Sequence, residues 1–243
     1  SYRGDIVNSP EFTAAARRPD PQRLVEAHAH SALTMNFVRA LIDGGFADLH
    51  HPEYWDLGFL QHAETKDAYR RIVDSISDSL DFFEAFAGTP IHEAGRMQFF
   101  SSHEGLHLFY EQAQTRYIPR TGLWYNLSTH YPWIGMRTAA VDGAHVEYFR
   151  GIANPVAVKV GSGMDDDWLQ RLVDVLNPDD EPGRLTLIHR LGAKDIEAKL
   201  PRLIDAVRRT GRRGPWVCDP MHGNTETTPQ GYKTRRVEHM VSE

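Results

Sequence analysis

Cysteine is almost missing from this chain: Cys218 is the only one. No internal disulfide framework is therefore available, and a reducing compartment is compatible but not required. Two residues after Trp216 in an apolar run, Cys218 reads more readily as a buried strand residue than as a nucleophile or metal ligand, because a free thiol packs like a small hydrophobe. Long hydrophobic runs are missing too. Nothing approaches the ~18 to 20 apolar residues that span a bilayer, and the opening Ser1-Tyr-Arg-Gly-Asp5 has no signal-peptide core. A soluble, cytoplasmic protein is expected. No block of one charge sign occurs, and a net charge of -6 with a pI near 6.1 offers no general attraction to nucleic acid or to an anionic membrane. Any cationic function must be local. Also missing are a Gly/Ser linker, a G-x-G-x-x-G turn and a Walker lysine loop, so no nucleotide fingerprint supports an open doubly wound sheet.

What the 243 residues do contain is ordinary globular material with a repeat in it. Apolar runs that stop in polar residues begin near 97, 124, 155, 184 and 214, spaced by 27, 31, 29 and 30 residues. One strand, one helix and two short loops need about that length. The runs are Met97 to Glu104, Tyr125 to His130 (leading through Trp133 and Gly135 to Arg137), Pro155 to Gly161, Arg184 to Arg190, and Trp216 onward into Asp219-Pro-Met-His-Gly-Asn-Thr225. About five βα units are expected over residues 97–243.

Residues 1–96 show no buried strand. Asp20-Pro21 opens a helix with apolar positions Leu24, Val25, Ala29, Leu33, Phe37, Val38 and Leu41, closed by Gly44-Gly45. A second helix is expected from about Lys66 to Phe86, with Gly88 and Pro90 breaking it. Later, Asp165, Asp166 and Asp167 suit a positive helix N-terminus better than a cation site. A further helix carries Ile196, Leu200, Leu203, Ile204 and Val207 to Gly211, with Pro201 starting its main body or kinking it.

The chemistry gathers where runs stop. Arg137, Lys159 and Arg190 would converge if successive strands open onto one mouth, and three cations there ask for an anion such as a phosphorylated, carboxylated small molecule. The alternative for each is a surface pairing with a neighbouring acid. His222 reads as a metal ligand, a general acid/base or a turn residue, with Asp219 able to orient it. Glu104 is an acid/base or cation partner. His28 and His30 lie two apart inside a helix and do not share a face; His50, His51 and His62 read as solvated.

Taken together these residues resemble the type II (plant-like) 3-deoxy-D-arabino-heptulosonate 7-phosphate (DAHP) synthases. The resemblance rests on Tyr2-Arg-Gly-Asp-Ile-Val-Asn8, Pro19-Asp-Pro21, Ser102-His-Glu104, Trp133-Ile-Gly-Met-Arg-Thr138, Asp142-Gly-Ala-His145, Asn154 to Gly161, Pro182 to Leu187, Asp219 to Thr225 and Lys233-Thr-Arg235. It implies an α/β fold of the (β/α)8 TIM-barrel type, here incomplete, with an N-terminal helical segment outside the barrel. It also implies a metal-dependent aldol-like condensation of phosphoenolpyruvate with erythrose 4-phosphate, in the shikimate pathway or a specialised aromatic route. Arg137, Lys159 and Arg190 would be phosphoenolpyruvate ligands and catalytic residues together with Glu104. Met136 would reach phosphate through its backbone N–H, and His222 would be one ligand of a divalent ion, manganese first and cobalt or another ion next. A homo-oligomer, and chorismate mutase as a partner, follow from the same resemblance.

Three positions depart from the family pattern: Met136 stands where Glu is common, His189 where Ser or Ala is usual, and Ser162 where Pro is common. The family's first two strands, with a cysteine ligand, and its last strand, with Glu and Asp ligands, are expected to fall outside residues 1–243. The chain by itself is then expected to be inactive. Two rival readings are a non-catalytic relative that binds or regulates a partner, and another phosphate-binding barrel aldolase.

Overall fold

A computed structural model describes residues 2–45, 48, 63–89 and 98–243. Pro90, Met97, His50, His51 and His62 lie outside the described residues. Backbone contacts divide the chain between Phe100 and Ser101 into two units.

In the first unit, α1 spans Gln22–Asp43 and α2 spans Ala63–Ala87. Asp20 supplies the start of α1, its carboxylate accepting from the Gln22 N–H at 3.1 Å, and Gly44 caps the end. The apolar stripe expected on α1 is mostly uncovered: Met35 is its buried residue, while Val25, Leu33 and Phe37 are exposed. On α2, Ile72, Phe82, Phe83 and Phe86 are likewise exposed. This helix ends as expected at Gly88, whose left-handed φ of 69° suits a residue without a side chain.

The second unit begins with β1 (Ser102–Glu104) and α3 (Leu108–Gln114), followed by an antiparallel hairpin of β2 (Thr115–Ile118) and β3 (Leu123–Asn126). Then come β4 (Tyr131–Ile134), a 3₁₀ turn (Met136–Thr138), α4 (Ala144–Arg150), β5 (Val156–Gly161), α5 (Asp166–Leu176), β6 (Leu185–Arg190), α6 (Ile196–Arg209) and β7 (Trp216–Cys218). A small β8 (Glu226–Thr227) and β9 (Lys233–Thr234) pair leads into α7 (Val237–Ser242).

Five parallel strands make one sheet in the order β1-β4-β5-β6-β7. Neighbours in space are successive parallel strands in sequence, with no point where the order reverses. Right-handed crossovers then place every connecting helix on the same face, and α5 packs against both α4 and α6. A doubly wound sheet requires a reversal; this mixed α/β sheet is compatible with an arc of a barrel-like fold.

The run at Tyr125–His130 is corrected. Its first residues belong to the β2–β3 hairpin, and the strand that joins the parallel sheet is Tyr131–Ile134. Gly122, at φ 70°, makes the hairpin turn, and the Tyr117 and Trp124 rings pair across it at 5.5 Å. Aromatic residues thus serve a local cross-strand contact instead of the core. Asn154 braces the hairpin against the start of β5: it accepts from the Asn126 N–H at 2.8 Å and donates to the Asn126 carbonyl at 2.9 Å.

The core lies between the sheet and its helices. Val156, Val158 and Val160 of β5 and Leu185 and Leu187 of β6 meet Leu169, Leu172 and Leu176 of α5 and Leu203 and Val207 of α6. Each such side chain contributes roughly 1.5–3 kcal/mol by leaving water. The α5 start behaves as the acidic triplet suggests, Asp165 accepting from the Trp168 N–H at 2.8 Å and Asp166 pairing with Arg202 and Arg209. Helix α6 runs through Pro201 without ending there. Cys218, expected to be buried, is exposed, because β7 is an edge strand of the described sheet.

Candidate functional site

Register decides which side chains share a face. Lys159 pairs with Ile188 and Gly161 with Arg190, while Ile188 pairs with Val217. Side chains alternate along a strand, so Lys159, Arg190 and Val217 lie on the face opposite the helix-packed Val158, Val160 and Leu187. Glu104 and Trp133 pair with each other, and Trp133 pairs with Ala157, on that same face. The polar groups stand at the C-terminal ends of consecutive strands because the apolar runs are spent on the core before the chain turns.

Asp219 is the hub. Its Oδ2 accepts from Lys159 Nζ at 2.5 Å and stands 2.7 Å from His222 Nδ1. Its Oδ1 accepts from the Met221 and His222 N–H groups at 3.2 and 3.3 Å, a turn in which an aspartate folds over its own following backbone. Side-chain exposures of 16% for Lys159 and 9% for Asp219 make this a largely desolvated pair. The Lys159 ammonium also lies 5.6 Å from the centre of the Trp133 ring, within cation–π reach. Burial works against the charged form of Asp219, but the hydrogen bond and charge of Lys159, and then those of His222, outweigh it and hold the carboxyl at about 2.

Arg190 joins the same turn from the next strand, its Nη2 donating to the His222 carbonyl at 2.5 Å. Its Nε–H is buried and has no hydrogen-bond partner. The turns after β6 and β7 also touch backbone to backbone: a Cβ on Gly223 would overlap the Gly192 amide. Asn224 locks them together, accepting from the Ala193 N–H at 3.0 Å and donating to the Pro220 carbonyl at 2.8 Å.

Other residues singled out in the sequence sit at the mouths of neighbouring strands without joining this chain of contacts. Arg137 is exposed on the 3₁₀ turn after β4. Met136 lays its thioether over Gly161, where a Cβ would overlap its Sδ. The Glu104 carboxylate lies against Gly135, whose missing side chain leaves it room. The three cations differ in their surroundings: Lys159 is paired with Asp219, Arg190 is engaged by a carbonyl, and Arg137 is exposed. The Lys159 pairing spans 60 positions, and nothing local in the sequence announces it.

His222 has the surroundings of a metal-ligating imidazole. A carboxylate on Nδ1 favours the proton there and leaves Nε2 as the free donor atom. However, the group of His, Cys, Asp and Glu donors that gathers among the described residues is His189, Cys218 and Glu243, all within 4.8 Å of one another. His222 is not in it. His189 and Cys218 alternate with Ile188 and Val217, which puts them on the other face of the sheet. Neither His189 nor Glu243 was singled out as a ligand by sequence reasoning, since a histidine inside a strand and an acid 54 positions later carry no shared spacing signal.

Residues 1–243 match the family model of the class-II DAHP synthetase family. A phospho-2-dehydro-3-deoxyheptonate aldolase of Streptomyces coelicolor is 43% identical over the whole chain, which covers 54% of that protein. Proteins of the same name from Neurospora crassa and Mycolicibacterium smegmatis are each 40% identical over the whole chain, which covers 53% of each. The chain spans about half the length of the curated relatives it matches.

Proposed function

Because the chain belongs to the class-II DAHP synthetase family, we propose that residues 97–243 are part of a (β/α)8 barrel whose strand ends bind phosphoenolpyruvate and erythrose 4-phosphate. The reaction is their aldol-like condensation to DAHP with release of phosphate, and residues 1–96 form a helical segment outside the barrel. The observation that carries this reading is the Lys159–Asp219–His222 chain of contacts with Arg190 on the same turn. It holds two cations and an imidazole together at the C-terminal ends of neighbouring parallel strands, where barrel enzymes keep their chemistry.

Each side chain has a definable task. Arg190, with its unpartnered Nε–H, has a donor ready for a carboxylate or phosphate oxygen. Lys159 provides a compact charge that Trp133 and Asp219 keep from swinging away. Arg137, exposed on its turn, is free to meet the second phosphate, and the Met136 backbone is placed beside it. Asp219 holds the His222 ring through Nδ1 and leaves Nε2 as the atom that can meet a ligand. A divalent ion such as manganese, held by His222 with ligands contributed from elsewhere in the whole protein, would polarise the aldehyde carbonyl as a Lewis acid. Glu104 offers a carboxylate at the mouth of β1 for proton transfer or for pairing with a cation.

Since the chain spans about half of its relatives, binding is the measurement to make on it, and turnover the one to make on a full-length protein. Calorimetric titration of phosphoenolpyruvate into the chain is expected to show saturable binding that weakens at least ~10-fold in Arg190→Ala, since a charge-assisted contact contributes ~1.5–3 kcal/mol. Lys159→Ala is expected to weaken it similarly. Binding of equal strength in all three would overturn the assignment. The 243-residue chain alone, given both substrates and manganese, is expected to consume no phosphoenolpyruvate.

A further inference from the structure

We propose that His189, Cys218 and Glu243 form a site for a borderline-soft divalent metal ion of the zinc type, on the helix-side face of the sheet behind Lys159 and Arg190. Such a site is independent of the proposed substrates. Three side chains offering N, S and O donors lie within 4.8 Å of one another, and His189 Nδ1 stands 3.8 Å from Glu243 Oε1. Donors around a tetrahedral zinc ion, bound at ~2.0–2.3 Å, sit roughly 3.3–3.8 Å apart, so modest side-chain rotation closes the site. A mixture of imidazole, thiolate and carboxylate selects zinc or cobalt over magnesium or calcium, which prefer all-oxygen shells.

A second observation points to a ligand. His189 is 6% exposed, yet its Nδ1 is buried with no hydrogen-bond partner. An orphaned polar atom of this kind is destabilising unless something binds it. Capping explains Glu243 alone: Oε1 accepts from the Leu191 and Gly192 N–H groups, each at 2.9 Å, and Oε2 accepts from Asn224 at 2.7 Å. These contacts use three of the carboxylate's ~four lone-pair directions and leave one on Oε2. They also orient the group as outer-shell partners orient a metal ligand.

The consequence for the site in front is positional. His189 precedes Arg190, and Cys218 precedes Asp219, so an ion clamped behind the sheet would fix the two strand ends that carry Arg190 and the Asp219–His222 turn.

The test uses the metal-free 243-residue chain and cobalt(II) as the spectroscopic probe. Because Cys218 is the only cysteine, any sulfur-to-cobalt charge-transfer absorption must come from it. Expected results are about one bound equivalent showing that absorption, its loss in Cys218→Ser, and affinity at least ~10-fold weaker in His189→Ala. His222→Ala is expected to leave the absorption unchanged. Wild-type protein without the band, or a band abolished by His222→Ala, would overturn the proposal. Should Cys218→Ser fold poorly, alkylation of wild-type Cys218 decides: zinc is expected to slow its modification severalfold, and an unchanged rate refutes the site.

Discussion

Replacing Asp219 by Asn tests the central contact most directly, because the substitution removes one charge and keeps nearly the same shape. A carboxyl held at about 2 instead of 3.8 corresponds to about 2 kcal/mol of native-state stability, at ~1.36 kcal/mol per tenfold change in acidity. The amide oxygen of the substituted side chain remains an acceptor for the Met221 and His222 N–H groups, so the expected loss arises from Lys159 and the His222 ring. For a chain of this size about 2 kcal/mol lowers Tm by ~4–8 °C. The sign follows from the direction of the shift. A depressed carboxyl stabilises the fold fully above its unfolded value of 3.8, and that contribution is lost as pH falls through about 2. The gap between wild type and Asp219→Asn should therefore be constant near neutrality and close below pH 3.8. A double-mutant cycle with Lys159→Met, read by urea denaturation, isolates the pair. A coupling of about 1–2 kcal/mol is expected. A value under ~0.5 kcal/mol, the usual scatter for independent sites, would refute the claim that this ion pair is felt by the fold.

The two strand-end glycines should separate sharply. Gly223→Ala drives a methyl into the Gly192 backbone and is expected to cost more than ~3 kcal/mol, whereas Gly161→Ala meets only the flexible end of Met136 and should cost ~1–2 kcal/mol; urea midpoints compare them. Asn154→Ala leaves the Asn126 N–H and several carbonyls without partners, for an expected loss of ~2–4 kcal/mol. Glu111 is 2% exposed; burial opposes its ionisation, but His103, Asn126 and Ser128 outweigh it and lower its pKa. Glu111→Gln should then cost ~1–3 kcal/mol at neutral pH, with the penalty shrinking as pH drops below 4.5.

What could be read from the chain was set by punctuation. Val156 to Gly161 and Leu185 to Arg190 are apolar runs long enough to be buried strands, and the polar residue at each end marks the mouth of the sheet. The α5 cap at Asp165 was legible for the same reason, since its physics is local. Tyr125 and Asn126 were misassigned because the tests for a buried strand and for a hairpin strand share one periodicity, and only the partners at Thr115 and Arg116 decide between them. The exposure of Cys218 depends on what lies beside β7, and the partnership of Lys159 with Asp219 on a fold already formed. Neither leaves a trace in a window of ten residues.

Arg184 has a consequence of its own. At the opposite end of the strands from His222, its guanidinium donates to the Asn154 carbonyl and, at 2.9 Å, to that of Phe149, while the Arg184 carbonyl receives the Val156 N–H at 2.8 Å. This fastening stands on the far side of the apolar strand middles from the reactive groups. Damage to it should appear as lost yield or early melting with ligand preferences intact, and changes around His222 should do the reverse. Selection could therefore retune what the protein recognises without reopening how it is held shut.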